Sequence, residues 1–302
     1  TGRGPSLGNL INFFDRDLRP DLEKWSSSMG AAGSLLELVL SLSDKPANLT
    51  GLSKTLDLTT QECSRHLQRL EEARLLSKDH EGVYSVSPYG QLVLELQRSL
   101  SFVSSQRDYF NAHSVRSLPH EFVLRISELA QSRYTADVMN SFAWIDSLFK
   151  KAEEYVWVVH DQYILSTLPL YLGAIRRGLK MRLVELSART PERKLDHMRP
   201  IYLSDEDEEI ILKARLGGQV ESRFLDTIDI FLYVTEKASM IAFPLSSGAF
   251  DYLGFASEGS TAHKYCQDLF QVYLERSRKA TNDEILSNYE TRMKLRSAST
   301  TK

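Results

Sequence analysis

The sequence predicts an α+β protein: a small helical module closed by a β-hairpin, followed by an α/β domain. Three observations predict it. Thr59 and Glu62 form an S/T-x-x-E pattern, in which each side chain satisfies a free backbone N–H at a helix start. Ser77 to Val86 reads as two short extended runs around a turn ending in Gly82. From Tyr155 onward, apolar runs of strand length alternate with helical spacing.

Each element follows from its own pattern. Leu10, Ile11, Phe14, Leu18, Leu22 and Trp25 fall at helical spacing and predict a leading helix. Ser34 opens a mostly apolar helix that ends at Asp44 to Pro46, and a short helix covers Leu49 to Leu56. The capped helix runs to about Ala73 with Cys63, Leu67 and Leu70 on one face, and the hairpin is followed by a helix from Pro88 to about Ser104. Arg107 to Ser132 reads as a loop and then a helix opened by Pro119, and a further helix covers Thr135 to Ala152. The continuous apolar run Tyr155 to Val159 suits a central strand covered on both faces. Next come a helix near Leu165 to Arg177 stopped by Gly178, a strand Lys180 to Glu185, and an acidic, solvated linker Asp205 to Glu209. Strands near Val220 to Phe224, Ile230 to Val234 and Met240 to Phe243 precede a helix Ser260 to Arg278, and a tail with early helical pattern dissolves at Ser297 to Lys302. Four segments result: residues 1–33, 34–105, 106–280 and 281–302.

Composition narrows the function classes. Of 302 residues, 42% are hydrophobic and 25% charged, which excludes disorder as the main state. The net charge of −3 supplies no overall positive field for nucleic acid or an acidic membrane, so any such contact must be local. Two cysteines cannot build a disulfide framework or a cysteine zinc site. No apolar run approaches bilayer length, and Asp15 and Asp17 interrupt anything resembling a signal peptide. The expectation is a cytoplasmic protein with no membrane partner.

Helix, helix, capped helix and hairpin within roughly 55 residues is the layout of a winged helix-turn-helix, whose third helix can enter the major groove while the hairpin touches backbone. On that reading Thr60, Gln61, Ser64, Arg65 and Gln68 face bases, with Lys54, Arg69 and Lys78 nearer phosphate. A homodimer would set two such helices about one DNA turn apart on an inverted repeat of double-stranded DNA. Leu92, Leu94, Leu96, Leu100, Phe102 and Val103, with Leu10, Phe14, Leu18 and Trp25, are candidates for the dimer interface. Charge argues for the alternative of a module that dimerises or binds protein without DNA. Ser34 to Arg98 carries seven basic and nine acidic residues, a net of −2, and Asp79 and Glu81 flank the wing tip.

Two stretches carry a family resemblance. Thr59 to Ala73, with Ser64-Arg65-His66-Leu67 and Leu70-Glu71-Glu72-Ala73, resembles the recognition helix of ArsR-like and MarR-like winged-helix regulators, except that Arg74 stands where those place glycine. Tyr109 to Phe122, with His113 and Pro119, resembles the entry to the sensor domain of archaeal regulators named for the control of methanogenesis. Agreement continues at Lys151 to Trp157, Arg177 to Arg182 and Cys266 to Phe270. The resemblance covers about Ser34 to Arg278. It implies a transcriptional regulator whose second domain is phospholipase-D-like in fold but not in activity.

Enzyme readings lack their residues. A winged-helix methyltransferase would need a glycine-rich turn after the first strand, but His160-Asp161-Gln162-Tyr163 contains none. A phosphodiesterase of the phospholipase D type would need H-x-K, but His160, His197 and His263 are followed two positions on by Gln162, Arg199 and Tyr265. The expectation is no enzyme, no catalytic residue, no cofactor and no metal. His160 and Asp161, at the end of a predicted central strand, and Glu185, at the end of the next, are the candidates to bind a small polar effector, because open α/β sheets place ligands at carboxyl strand ends.

Overall fold

A computed structural model describes residues 38–39, 41–43, 45–161, 167–187 and 203–300. The expected leading helix lies outside them. The chain divides into two compact units, the first ending at Arg98 and the second beginning at Ser99.

In the first unit residues 38–39 and 41–43 are helical. Strand β1 (Ala47–Asn48) leads into α1 (Leu49–Thr55), where Asn48 Oδ1 accepts the Gly51 N–H at 2.9 Å as an N-cap. Helix α2 (Thr60–Glu72) opens on the predicted reciprocal cap: the Glu62 N–H donates to Thr59 Oγ1 at 3.2 Å and the Thr59 N–H to Glu62 Oε2 at 3.1 Å. Strands β2 (Leu76–Lys78) and β3 (Val83–Val86) form the hairpin, and β1 pairs on the other side of β3. Cys63, Leu67 and Leu70 are buried with Leu38, Leu42, Leu52, Leu76, Tyr84 and Leu94.

The end of α2 shows what the missing glycine costs. The Arg74 N–H donates to Glu71 O at 2.8 Å and the Leu75 N–H to Leu70 O at 2.9 Å, the paired bonds of a Schellman cap. Arg74 occupies the left-handed position at φ 59°, which costs a residue with a β-carbon about 1 kcal/mol. Helix α3 (Pro88–Ser105) is pinned to this corner, since Ser87 Oγ donates to Arg74 O and accepts the Gly90 N–H.

The second unit is an eight-stranded mixed sheet between two helical layers. Helices α4 (Arg107–Ala112) and α5 (His120–Leu124) and a 3₁₀ turn (Ile126–Leu129) precede β4 (Arg133–Thr135), α6 (Val138–Lys151), β5 (Tyr155–Val159), α7 (Leu168–Arg176) and β6 (Lys180–Leu186). Then come α8 (Asp205–Leu216), β7 (Val220–Leu225), β8 (Phe231–Thr235), β9 (Ser239–Ala242), β10 (Gly254–Ser257), α9 (Ser260–Arg276), β11 (Arg278–Lys279) and α10 (Asn282–Thr300). The strand order is β11-β7-β6-β5-β8-β9-β10-β4, with β5, β6 and β7 parallel and every other pairing antiparallel. Alternation along β5 sorts the cores. Val156 and Val158 face α6, α7 and α8, while Val159, Tyr155 and Trp157 face the α5 and α9 side.

Several expectations are corrected. Arg107 to Ala112 is helical rather than a loop, and the helix opened at Pro119 breaks at Arg125. Asp205 to Glu209 is the first part of α8, not a linker: the Ser204 hydroxyl accepts the Asp207 N–H while Asp207 Oδ2 accepts the Ser204 N–H, and the acidic first turn suits the positive end of the helix dipole. Glu208 is buried there, with Arg292 Nε of α10 at 3.7 Å. The tail stays helical to Thr300.

At the β8–β9 turn, Glu236 accepts the N–H groups of Glu153, Glu154 and Tyr155 at 2.8, 3.4 and 3.3 Å, fixing the entry to β5. Burial pushes the Glu236 pKa up, but these backbone donors outweigh it and hold the carboxyl below the usual glutamate range. A depressed folded pKa gives stability that is complete above the unfolded glutamate value and lost as pH falls through the folded one. Glu236→Gln is therefore expected to lower Tm at pH 7 and to lower it less at pH 3. Equal losses at both would show that the charge contributes nothing.

Candidate functional site

In the first unit the face of α2 opposite Cys63, Leu67 and Leu70 is exposed, and it holds Thr60, Gln61, Ser64, Arg65, Gln68 and Arg69. Lys54, in the last turn of α1, and Lys78, on β2, are also exposed. The Lys78 ammonium sits 5.2 Å from the centre of the Tyr84 ring, which anchors the hairpin from inside. Gln68 is less available than its position suggests, because its Nε2 donates to Glu72 Oε1 at 3.0 Å.

The acidic groups of the module are partly committed. The hydroxyl and N–H of Thr59 and the charge of Arg65 hold the Glu62 carboxyl below its ordinary range, and Glu62 serves as cap. At the hairpin turn Asp79 Oδ1 accepts the Glu81 and Val83 N–H groups at 2.9 and 2.8 Å, and Gly82 at φ 80° closes the turn. Asp79 therefore has a turn-forming role that its charge alone hides. His66 lies between the two faces of the helix. It is half-buried within α2, and burial followed by the charges of Arg69 and Arg65 pushes its pKa down, so the ring is neutral at pH 7.

In the second unit the three candidate effector ligands gather at the carboxyl ends of β5 and β6. The His160 N–H donates to Val184 O at 3.2 Å, extending the parallel register by one residue. This sets His160 Nε2 3.5 Å from Glu185 Oε1, with both residues buried and Asp161 half-buried beside them. Tyr171 and Tyr233, whose hydroxyls are 3.2 Å apart, place their rings 6.4 and 6.3 Å from the His160 ring. Sequence reasoning missed the two tyrosines, which lie on α7 and β8 and converge only through the sheet. Among the described residues no group of three or more His, Cys, Asp or Glu side chains is arranged to hold a metal ion, and no helix is long and apolar enough to cross a membrane.

His113 has a different job. Its Nδ1 lies 2.8 Å from Tyr109 O and its Nε2 3.0 Å from Asp251 Oδ1, and its ring stacks on Tyr109 at 3.8 Å. It ties α4 to the segment between β9 and β10. An open groove of about 500 Å³ lies at the amino ends of β5, β6 and β7, lined in part by Tyr155, Trp157, Arg182 and Glu221. Two of its charges are paired with each other, Arg182 Nε lying 3.3 Å from Glu221, which also meets Arg223 Nη1 at 2.9 Å.

No protein family matches the chain, and no curated protein does. Among solved structures the chain is similar to TrmBL2, an archaeal chromatin protein, at 12% identity and a TM-score of 0.37, covering 91% of this chain and 100% of that one. It is also similar to Nuc from Salmonella typhimurium, a phospholipase D family member, at 9% identity and a TM-score of 0.34, covering 50% and 96%. An O-methyltransferase family protein from Burkholderia thailandensis shares 12% identity at a TM-score of 0.26, covering 74% and 65%.

Proposed function

We propose that this chain is a sequence-specific, homodimeric DNA-binding regulator that acts without turnover. The observation that carries the reading is α2: a helix capped at both ends, seated on a leucine and cysteine core, and exposing a face of hydrogen-bonding side chains with no apolar residue among them. Arg65 at the centre of that face has the fork geometry for a guanine edge, and Lys54, Arg69 and Lys78 flank it as phosphate contacts. A good bidentate base contact is worth about 1–3 kcal/mol, so Arg65→Ala is expected to weaken DNA retention roughly 10- to 100-fold with an unchanged circular dichroism spectrum. A binding selection from random duplexes at low salt finds the operator. Enrichment of no motif by the parent protein ends this reading.

A second reading, a module that dimerises or binds protein without DNA, is favoured by the net charge of −2 over Ser34 to Arg98. It predicts indifference to duplex DNA at any salt concentration.

The effector belongs at His160, Asp161 and Glu185, which meet at the carboxyl ends of β5 and β6. A small polar metabolite there regulates only by its differential affinity for DNA-competent and incompetent states, a coupling of about 1–3 kcal/mol. Thermal-shift screening of the parent against Asp161→Ala and Glu185→Ala locates it. A compound that raises Tm equally in all three proteins binds elsewhere.

A further inference from the structure

Strand register builds the open groove at the amino ends of β5, β6 and β7, wholly within the second unit. Helix α9 packs on β5, β8 and β9, and on the same side β6 and β7 join its core toward their carboxyl ends, where Val184 is buried and Leu225 packs beside it. Their amino ends carry polar side chains instead. Lys180 is opposite Tyr155, and Arg182 stands between Trp157 on one neighbouring strand and Glu221 on the other, so all five share one face of the sheet.

Two features of this face are fixed in place. The first is a stack of rings: Trp157 lies on Phe270 of α9 at 5.0 Å and 18°, and on Tyr155 at 4.2 Å and 23°. Tyr155 lines the groove, and among the described residues no further ring lies on it. Its hydroxyl accepts Gln267 Nε2 at 2.8 Å, which holds the ring plane. The second is a pair of cations. Arg182 is set by Glu221 at its Nε and by the Trp157 ring, whose centre is 5.6 Å from the guanidinium carbon, and among the described residues its Nη groups hydrogen-bond no acceptor. Lys180 is exposed, with neither a carboxylate nor a ring partner among them. Of the nearby carboxylates, Glu221 is shared by Arg182 and Arg223, and Glu154 is exposed. Register puts Lys279 on the same face, opposite Arg223, so cations outnumber carboxylates there.

We propose that this groove binds a free mononucleotide, its base laid on Tyr155 and its phosphate held by Lys180 and Arg182. A ring face and two cations on adjacent strands match the two parts of a nucleotide, and charge-assisted bonds to phosphate are the strong ones. Stacking accepts any base, because every base has a π-face. The groove, at about 500 Å³, has the size of small-molecule sites, roughly 300–1,000 Å³. It lies at the opposite strand ends from His160 and Glu185, so it stands or falls independently of the effector site and of the DNA reading.

The test titrates the full chain with AMP by calorimetry, with ribose 5-phosphate and a short single-stranded oligoadenylate for comparison. Lys180→Glu, at an exposed position, and Tyr155→Leu, which keeps an apolar side chain, are each expected to weaken AMP binding about 10-fold or more with an unchanged circular dichroism spectrum. Tyr155→Phe keeps the ring and is expected to retain AMP. Ribose 5-phosphate is expected to bind about 10-fold more weakly than AMP, a measure of stacking that holds even if Tyr155→Leu fails to fold. No binding of AMP at millimolar concentration, or binding that Lys180→Glu and Tyr155→Leu both leave unchanged, overturns the site. Ribose 5-phosphate bound as tightly as AMP overturns the nucleotide and leaves an anion site. Oligoadenylate bound much more tightly than AMP, and equally weakened by Lys180→Glu, overturns the free nucleotide in favour of a single strand.

Discussion

Gly254→Ala is expected to cost the second unit about 3 kcal/mol, the upper end of what overpacking a core imposes. A β-carbon on Gly254 would stand 2.1 Å from Ile241 O and 2.8 Å from the Ala242 β-carbon. Neither neighbour can give way. Both lie in or beside the β9–β10 pairing, where Phe255 is opposite Ile241, and β10 is held on its other side by β4 through Gly254 and Thr135. The Thr135 hydroxyl closes the corner, donating to Gly254 O at 3.1 Å. Trp144, whose Nε1 donates to Ser239 O on β9, reports the loss as a lower urea midpoint in fluorescence. A midpoint equal to that of the parent protein would mean that β9 and β10 do not approach as described.

Tyr109→Phe is expected to cost about 2–3 kcal/mol, although it removes a single oxygen atom. That hydroxyl donates to Leu253 O at 3.1 Å and accepts the Phe243 N–H at 3.0 Å, joining the two ends of the segment between β9 and β10. Burial raises the Tyr109 pKa well above the ordinary phenol value, so the group remains a neutral donor and acceptor at any working pH. Phenylalanine preserves the stacking on His113 and the ring contacts with Phe255 while stranding a buried donor and weakening a buried acceptor, the asymmetric penalty that makes such losses large. Thermal unfolding of the variant measures the cost, and a Tm unchanged within error would show that the hydroxyl bridges nothing. The spacing of four residues lets His113, the C-cap of α4, stack its ring on Tyr109 one turn back.

How much was legible depended on the reach of each signal. The Thr59 cap was readable because it is set within a few residues of backbone, whereas the left-handed position of Arg74 was implied by the resemblance, in which glycine stands there. The same pattern, Ser204 with Asp207, was present at α8, but the surrounding acidic residues gave it the look of a linker. Strands β4, β10 and β11 were not readable. Arg133–Thr135 and Arg278–Lys279 have no apolar run, and Gly254–Ser257 is made of small residues that suit a strand only where a neighbouring backbone comes close.

By itself the sequence determined the helical module with its capped third element, the central apolar strand, and the placing of His160 and Glu185 at strand ends, all consequences of local hydrogen bonding and of side-chain period along the chain. Only the tertiary structure decided which leucines of α3 turn inward, that Tyr171 and Tyr233 stand beside His160, that Glu208 is buried against α10, and that three of the eight strands in the second unit's sheet are parallel. The physical reason is that period and capping constrain a residue through neighbours a turn away, whereas burial and strand pairing depend on partners more than a hundred residues along the chain, such as Leu253, 144 residues from Tyr109.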